Sequence, residues 1–219
     1  MSLLYCGPAA ALPPGAERCA TPPAGPHLIH LDGRYHLADG AGRHRPLTID
    51  FRSAFYRARG GTEYLPRAFR GLSDIGDGTA GWGRDAWLLH YRGFRLTLYE
   101  RNPYLQLLLR QGLAELDEPR PELVAGDVAE VGRRHEAIYL DPMFPPRRKS
   151  AAVGREMQAL HQLVAAPSPA EEAQLLAAAR ARAEKRVVVK RPKGAPPLAG
   201  LAPDFAISAP NTRYDVYLV

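Results

Sequence analysis

Leu72-Ser73-Asp74-Ile75-Gly76-Asp77-Gly78-Thr79-Ala80-Gly81-Trp82-Gly83-Arg84-Asp85 reads as a short strand, a glycine turn and the first turn of a helix. Gly81 and Gly83 remove the Cβ atoms that would hold a ligand off the backbone, and the free N–H groups at the start of the next helix point at whatever is bound. The run Gly81-Trp82-Gly83-Arg84-Asp85-Ala86 also fits the glycine-x-glycine-x-x-glycine/alanine fingerprint of dinucleotide-binding folds, so the loop alone does not name its ligand. Asp77, just before the turn, would repel a pyrophosphate and suits a cationic ligand end, such as the amino group of a methionine moiety. On charge sign, S-adenosylmethionine is favoured over a nicotinamide cofactor.

Downstream, strands and helices alternate. Arg84 to Tyr91 is predicted as a helix ended near Gly93, followed by a buried strand from Arg95 to Tyr99 with Glu100 at its carboxyl end. An acid at that distance from the glycine turn suits the two hydroxyls of a ribose, a device that dinucleotide and adenosylmethionine folds share. Asn102-Pro103 opens a helix carrying Leu105, Leu108, Leu109 and Leu116, and Glu122 to Ala125 is a short strand ending at Gly126-Asp127. Asp127 can take an adenine amino group or cap its own turn. Glu136 to Leu140 is a fourth strand, which delivers Asp141-Pro142-Met143-Phe144-Pro145-Pro146.

Two helices are predicted next, over Arg155 to Val164 and Pro169 to Lys185, the second opened by a capping box of Ser168 and Glu171. Arg186 to Lys190 is an apolar strand, and Phe205 to Ser208 with Arg213 to Leu218 form a terminal hairpin. The alternation predicts an α/β fold with a mostly parallel sheet, a C-terminal antiparallel hairpin and a ligand above the carboxyl ends of the strands. Gly81, Glu100, Asp127 and Asp141 all fall on that edge.

The exocyclic amine of a nucleic-acid base is a poor nucleophile, because its lone pair is delocalised into the ring. Asp141 and the carbonyl of Pro142 can accept its two N–H bonds and aim the lone pair at an electrophilic methyl group, while Phe144 stacks on the base. Taken singly, Asp141 equally suits capping of a turn and Phe144 ordinary core packing; their order along successive strands is what joins them to Asp77, the glycine turn and Glu100.

The amino-terminal third reads differently. Residues 1–26 carry Pro8, Pro13, Pro14, Pro22, Pro23 and Pro26 among alanines and glycines and are expected to form a loose arm with one short strand at Leu3 to Tyr5. Residues 27–70 are expected to form a small β-rich, basic subdomain: His27 to Leu31 and Arg34 to Leu37 around an Asp32-Gly33 turn, then a third strand over Leu47 to Phe51. Arg52, Arg57, Arg59, Arg67 and Arg70 are interleaved with Phe55, Tyr56, Tyr64 and Phe69, a pattern open to RNA contact or to packing against the main sheet. Residues 71–219 form the expected methyltransferase domain.

The chain has 219 residues, with 29 Lys plus Arg against 23 Asp plus Glu and a net charge of +6, a balance that suits a polyanionic partner. Cys6 and Cys19 have no companion pair to complete a zinc site, so no metal is expected and a reduced, cytoplasmic setting is the simple reading. No apolar run approaches the ~18 residues of a membrane helix, and no secretory leader is expected.

Asp77 to Asp85, Glu100-Arg101-Asn102-Pro103, Tyr139 to Pro145, Lys149-Ser150-Ala151 and Lys185 to Pro192 together resemble the RsmJ family of small-subunit ribosomal RNA guanine-N2 methyltransferases, from about His27 onward. The resemblance implies a Rossmann-like class I S-adenosylmethionine-dependent methyltransferase fold. It also implies methyl transfer to the N2 amine of a guanosine near the 3′ end of 16S ribosomal RNA, in the bacterial cytoplasm, on free RNA or the small ribosomal subunit. The family's cofactor contacts then fall on Arg84, Asp85, Glu100, Arg101, Asp127, Val128 and Asp141. The basic groups Arg147, Arg148 and Lys149, with Lys190, Arg191 and Lys193, flank the expected pocket on two loops and suit phosphate contacts. The alternatives are an amino-methyltransferase acting on adenine or cytosine in DNA, a nicotinamide-dependent oxidoreductase, and a non-catalytic RNA-binding module on the same fold.

Overall fold

The computed structural model describes residues 3–40, 42, 44–53, 56, 64–144 and 154–219. Two sheets are present among them. The smaller is built from β1 (Leu3–Cys6), β2 (Ala16–Arg18), β3 (His27–Leu31) and β4 (Arg34–Ala38), in the order β2-β1-β3-β4. The larger contains β5 (Asp74–Asp77), β6 (Arg95–Glu100), β7 (Glu122–Ala125), β8 (His135–Leu140), β9 (Ala183–Pro192), β10 (Phe205–Ser208) and β11 (Thr212–Leu218). Its order is β10-β11-β9-β8-β5-β6-β7, with β5 to β9 parallel and the last two strands antiparallel. From β5 the chain runs outward through β6 to β7 and returns to place β8 on the other side of β5. The order therefore reverses between β5 and β8, the position at which open α/β sheets leave a crevice above their carboxyl ends.

The helices are α1 (Tyr64–Ala68), α2 (Arg84–Tyr91), α3 (Pro103–Ala114), α4 (Val128–Val131), α5 (Arg155–Leu163) and α6 (Pro169–Arg182). Their ends obey local chemistry. The Asn102 side chain accepts the N–H groups of Tyr104 and Leu105 at the start of α3, and Ser168 and Glu171 close a reciprocal capping box on α6. The expected helix over Pro169 to Lys185 ends earlier, at Arg182, because Ala183 already pairs with His135 of β8. Among the described residues no helix is long and apolar enough to cross a membrane.

The arm expected over residues 1–26 contributes β1 and β2 to the smaller sheet. Pro8, Pro13 and Pro14 lie between these strands and Pro22, Pro23 and Pro26 between β2 and β3, where no ladder hydrogen bond is lost. Tyr5 is fully buried, the Leu4 N–H donates to Tyr104 Oη at 2.9 Å, and the Tyr35 N–H donates to Gln111 Oε1 at 2.7 Å, so this sheet is fastened to α3. The expected strand over Leu47 to Phe51 is reduced to a single bridge between Leu37 and Leu47. Ile49 and Phe51 are buried instead, and they fill the space that Cβ atoms on Gly112 and Gly83 would need. In the basic and aromatic segment, Phe55, Arg57 and Arg59 lie outside the described residues. Tyr56 and Phe69 are buried, whereas Arg52, Arg67 and Arg70 are exposed.

Candidate active site

The carboxyl ends of β5 to β9 open onto one cavity of about 750 Å³. Gly81 lines it with a left-handed φ of 54°, and a Cβ there would find no atom nearer than the Thr79 carbonyl oxygen at 3.8 Å. This glycine leaves the cavity wall low. Gly83 does something else. It does not line the cavity; its φ of 70° starts α2, and a Cβ would meet Leu109 and Phe51 at 2.9 Å. The expectation that Gly83 makes room for a ligand is thus corrected: it makes room for the core.

Two carboxylates shape the cavity beside this turn. Asp77 is buried, and its Oδ1 accepts the Thr79 N–H at 3.0 Å. Burial, with Asp85, Asp141 and Glu100 nearby, pushes its pKa up to about 8. A cation placed against Asp77 would favour the ionised form that burial and the neighbouring carboxylates otherwise suppress. Glu100 is also buried, accepting from the Gly81 N–H at 2.8 Å through Oε2 and from the Asn102 N–H at 2.7 Å through Oε1; burial raises its pKa as well. Each oxygen keeps a further lone pair, so Glu100 can hold the glycine turn and still accept a hydroxyl.

Asp141 follows β8 and reaches the same turn: its N–H donates to Thr79 Oγ1 at 2.6 Å. Pro142 and Phe144 line the cavity beside it. Asp141 Oδ2 accepts from Lys190 Nζ at 2.8 Å, and the same ammonium donates to Asp85 Oδ2 at 2.7 Å, which also accepts from Tyr139 Oη at 2.6 Å. Desolvation lifts the pKa of Asp141, Lys190 pulls it back and Asp85 adds to the rise, so that it lies above its ordinary value. For Lys190, burial acts downward, but Asp141 and Asp85 outweigh it and the pKa is raised. Burial first, and Asp85 second, raise that of Tyr139.

These contacts correct two expected RNA contacts. Lys190 is committed to two carboxylates. Arg191 is 2% exposed, donates to the Pro196 carbonyl and Glu172, and lies 5.0 Å over the Phe144 ring. A guanidinium so enclosed cannot reach a phosphate backbone, though it can steady the ring that was expected to stack on a base. Lys193 is exposed. Arg147, Arg148 and Lys149 lie outside the described residues.

The remaining expected contacts sit around the cavity in secondary engagements. Arg84 pairs with Glu156 at 3.0 Å, and Asp127 caps α4 through the Ala129 N–H at 2.9 Å while lying 3.5 Å from Arg101. The turn-capping alternative for Asp127 is therefore realised, and its other oxygen faces Arg101. Val128 is fully buried and packs beneath Gly78, away from the cavity lining. Thr79, Tyr139 and the bridging role of Lys190 went unread in the sequence. The usable signal was positional, since Lys190 and Asp141 close adjacent parallel strands.

The SAM_MT family model of SAM-dependent methyltransferases matches residues 34–219. A protein of Hahella chejuensis named ribosomal RNA small subunit methyltransferase J is 45% identical over 64% of this chain, which spans 56% of that protein's length. One of the same name from Hydrogenovibrio crunogenus is 38% identical over 90% of this chain and 78% of its own. The crystal structure of the SAM-dependent methyltransferase NGO1261 from Neisseria gonorrhoeae superposes with a TM-score of 0.77 at 30% identity, covering 98% of this chain and 95% of that one.

Proposed function

We propose that this chain, which belongs to the ribosomal RNA small subunit methyltransferase J family of SAM-dependent methyltransferases, transfers a methyl group from S-adenosylmethionine to the exocyclic N2 amine of a guanosine in 16S ribosomal RNA, in the bacterial cytoplasm. The observation that carries this reading is the 2.6 Å bond from the Asp141 backbone N–H to Thr79 Oγ1, which ties the residue proposed to grip the amine to the glycine turn. The residues present fit the cofactor. A cavity of about 750 Å³ is roomy enough for it, Gly81 offers a wall without a side chain, Asp77 suits its amino end and Glu100 its ribose.

When bound, S-adenosylmethionine supplies a methyl group on a sulfonium, the hard part of the chemistry. Asp141 and the Pro142 carbonyl accept the two N–H bonds of the amine, which concentrates its lone pair on the side facing the methyl carbon. With the cofactor bound, the methyl carbon would leave sulfur, which would keep the electron pair of the broken C–S bond, as the N–C bond forms, and Asp141 would take up the displaced N–H proton. Phe144, steadied from one face by Arg191, offers its other face to the purine. A guanine within a duplex would have to leave its stack to enter this cavity. Exposed Lys193, with the basic run Arg147-Arg148-Lys149, supplies phosphate contacts for the small-subunit RNA.

Purified protein incubated with methyl-labelled cofactor and small subunits or their RNA should yield N2-methylguanine on base analysis. Label on adenine, or on cytosine of DNA, would overturn the substrate assignment.

A further inference from the structure

Lys190 sits near the carboxyl end of β9, one strand over from Asp141, with its Nζ 2.8 Å from Asp141 Oδ2 and 2.7 Å from Asp85 Oδ2. Resting on the methyl-transfer reading above, we propose that Lys190 is a positioning residue: it holds Asp141 as an ionised carboxylate, takes up Oδ2, and leaves Oδ1 for the amine that is to be methylated. The role differs from the phosphate contact that its charge first suggests, because an ammonium bound to two carboxylates has little left to offer a polyanion.

The surroundings make such a residue necessary. Asp141 faces Asp85 from α2 and Asp77 from β5, with Tyr139 on its own strand, so two further carboxylates and a hydroxyl crowd it. The positive groups come from β9: Lys190, and Arg191, whose guanidinium is spent on Glu172, the Pro196 carbonyl and the Phe144 ring. Lys190 alone of these two donates directly to Asp141. Without it the cheapest relief from like-charge crowding is protonation of Asp141. A protonated carboxyl presents a donor where the amine requires an acceptor, and the lone pair is no longer aimed.

The test uses the full chain with Lys190→Met, Lys190→Gln and Lys190→Arg. Carboxyl carbons of labelled aspartates are followed by NMR against pH without ligand, Asp141 being assigned by the resonance lost in Asp141→Asn. In the Met and Gln variants Asp141 should titrate at least about one pH unit higher than in the parent chain, and Arg should restore most of the difference. The acid limb of the methyl-transfer rate should move up equally, with the turnover at neutral pH down about tenfold or more and S-adenosylhomocysteine affinity within about threefold. An unmoved Asp141 titration in Met and Gln overturns the proposal, as does a rate loss equal at every pH that Arg fails to rescue. If the titration moves as expected while the parent chain methylates no small-subunit RNA, the hold of Lys190 on Asp141 stands and the substrate reading falls.

Discussion

Asp77 shows how one residue couples fold and ligand. With its pKa raised to about 8 by burial and three neighbouring carboxylates, it is mostly neutral at pH 7. A ligand ammonium favours the ionised form, so binding must expel a proton, and affinity must rise with pH towards 8 until the ligand's own amine loses its charge. Calorimetric titration of S-adenosylhomocysteine at pH 7, in buffers of differing ionisation enthalpy, should report that proton release, and Asp77→Asn should abolish it. The sign for stability is the reverse: a carboxyl whose folded pKa lies above its ordinary value costs the empty protein stability as pH rises from about 4 to about 8. Asp77→Asn should therefore raise the melting temperature of the empty protein most at pH 8 and above. The strand-end carboxylates were readable in the sequence because acids following apolar runs declare their place. Lys190 and Arg191 were not, since a basic residue looks the same whether it faces solvent or a buried acid.

The glycine turn and the helix after it illustrate the element scale. The position of α2 depends on Gly83, which holds φ at 70° and lets Leu109 and Phe51 approach to within 2.9 Å of where a Cβ would stand. Gly83→Ala should cost about 1–2 kcal/mol for the left-handed backbone and more for displacing two core side chains. A shift of the denaturant midpoint would measure it; a change within about 0.5 kcal/mol would show that the turn tolerates a side chain. The long helices and the strands of the larger sheet were legible to within about three residues, because capping residues and apolar runs fix them locally. The boundary between α6 and β9 was the least legible, since Ala183 pairs with β8 where the helical pattern still runs. The segment Leu47 to Phe51 was not legible, as its alternation fits a strand while α3 and the glycine turn offer Ile49 and Phe51 a better burial. The short α4, one turn capped by Asp127, carries no periodic signal at all.

At the scale of the molecule, the smaller sheet is joined to the larger through α3 and a shared core. Composition predicted a loose arm over residues 1–26, because proline content is visible in a sequence and the pairing of three- and four-residue strands is not. Removing residues 1–26 would strip β1 and β2 from the sheet, along with the buried Tyr5 and the bond to Tyr104. Burial of one such aromatic is worth about 2–3 kcal/mol, so the truncated chain should melt about 5–10 °C lower. An unchanged melting temperature would restore the loose arm.

The architecture as a whole makes sense if the strand ends gather one ligand between Asp77, Glu100 and Asp141. The most direct measurement is a crystal structure of the protein with S-adenosylhomocysteine. The ribose hydroxyls should lie within hydrogen-bond distance of Glu100, the amino group against Asp77, and the sulfur facing the space beside Asp141 and Pro142. A ligand bound outside this cavity, or inside it with the sulfur turned away from Asp141, would contradict the account.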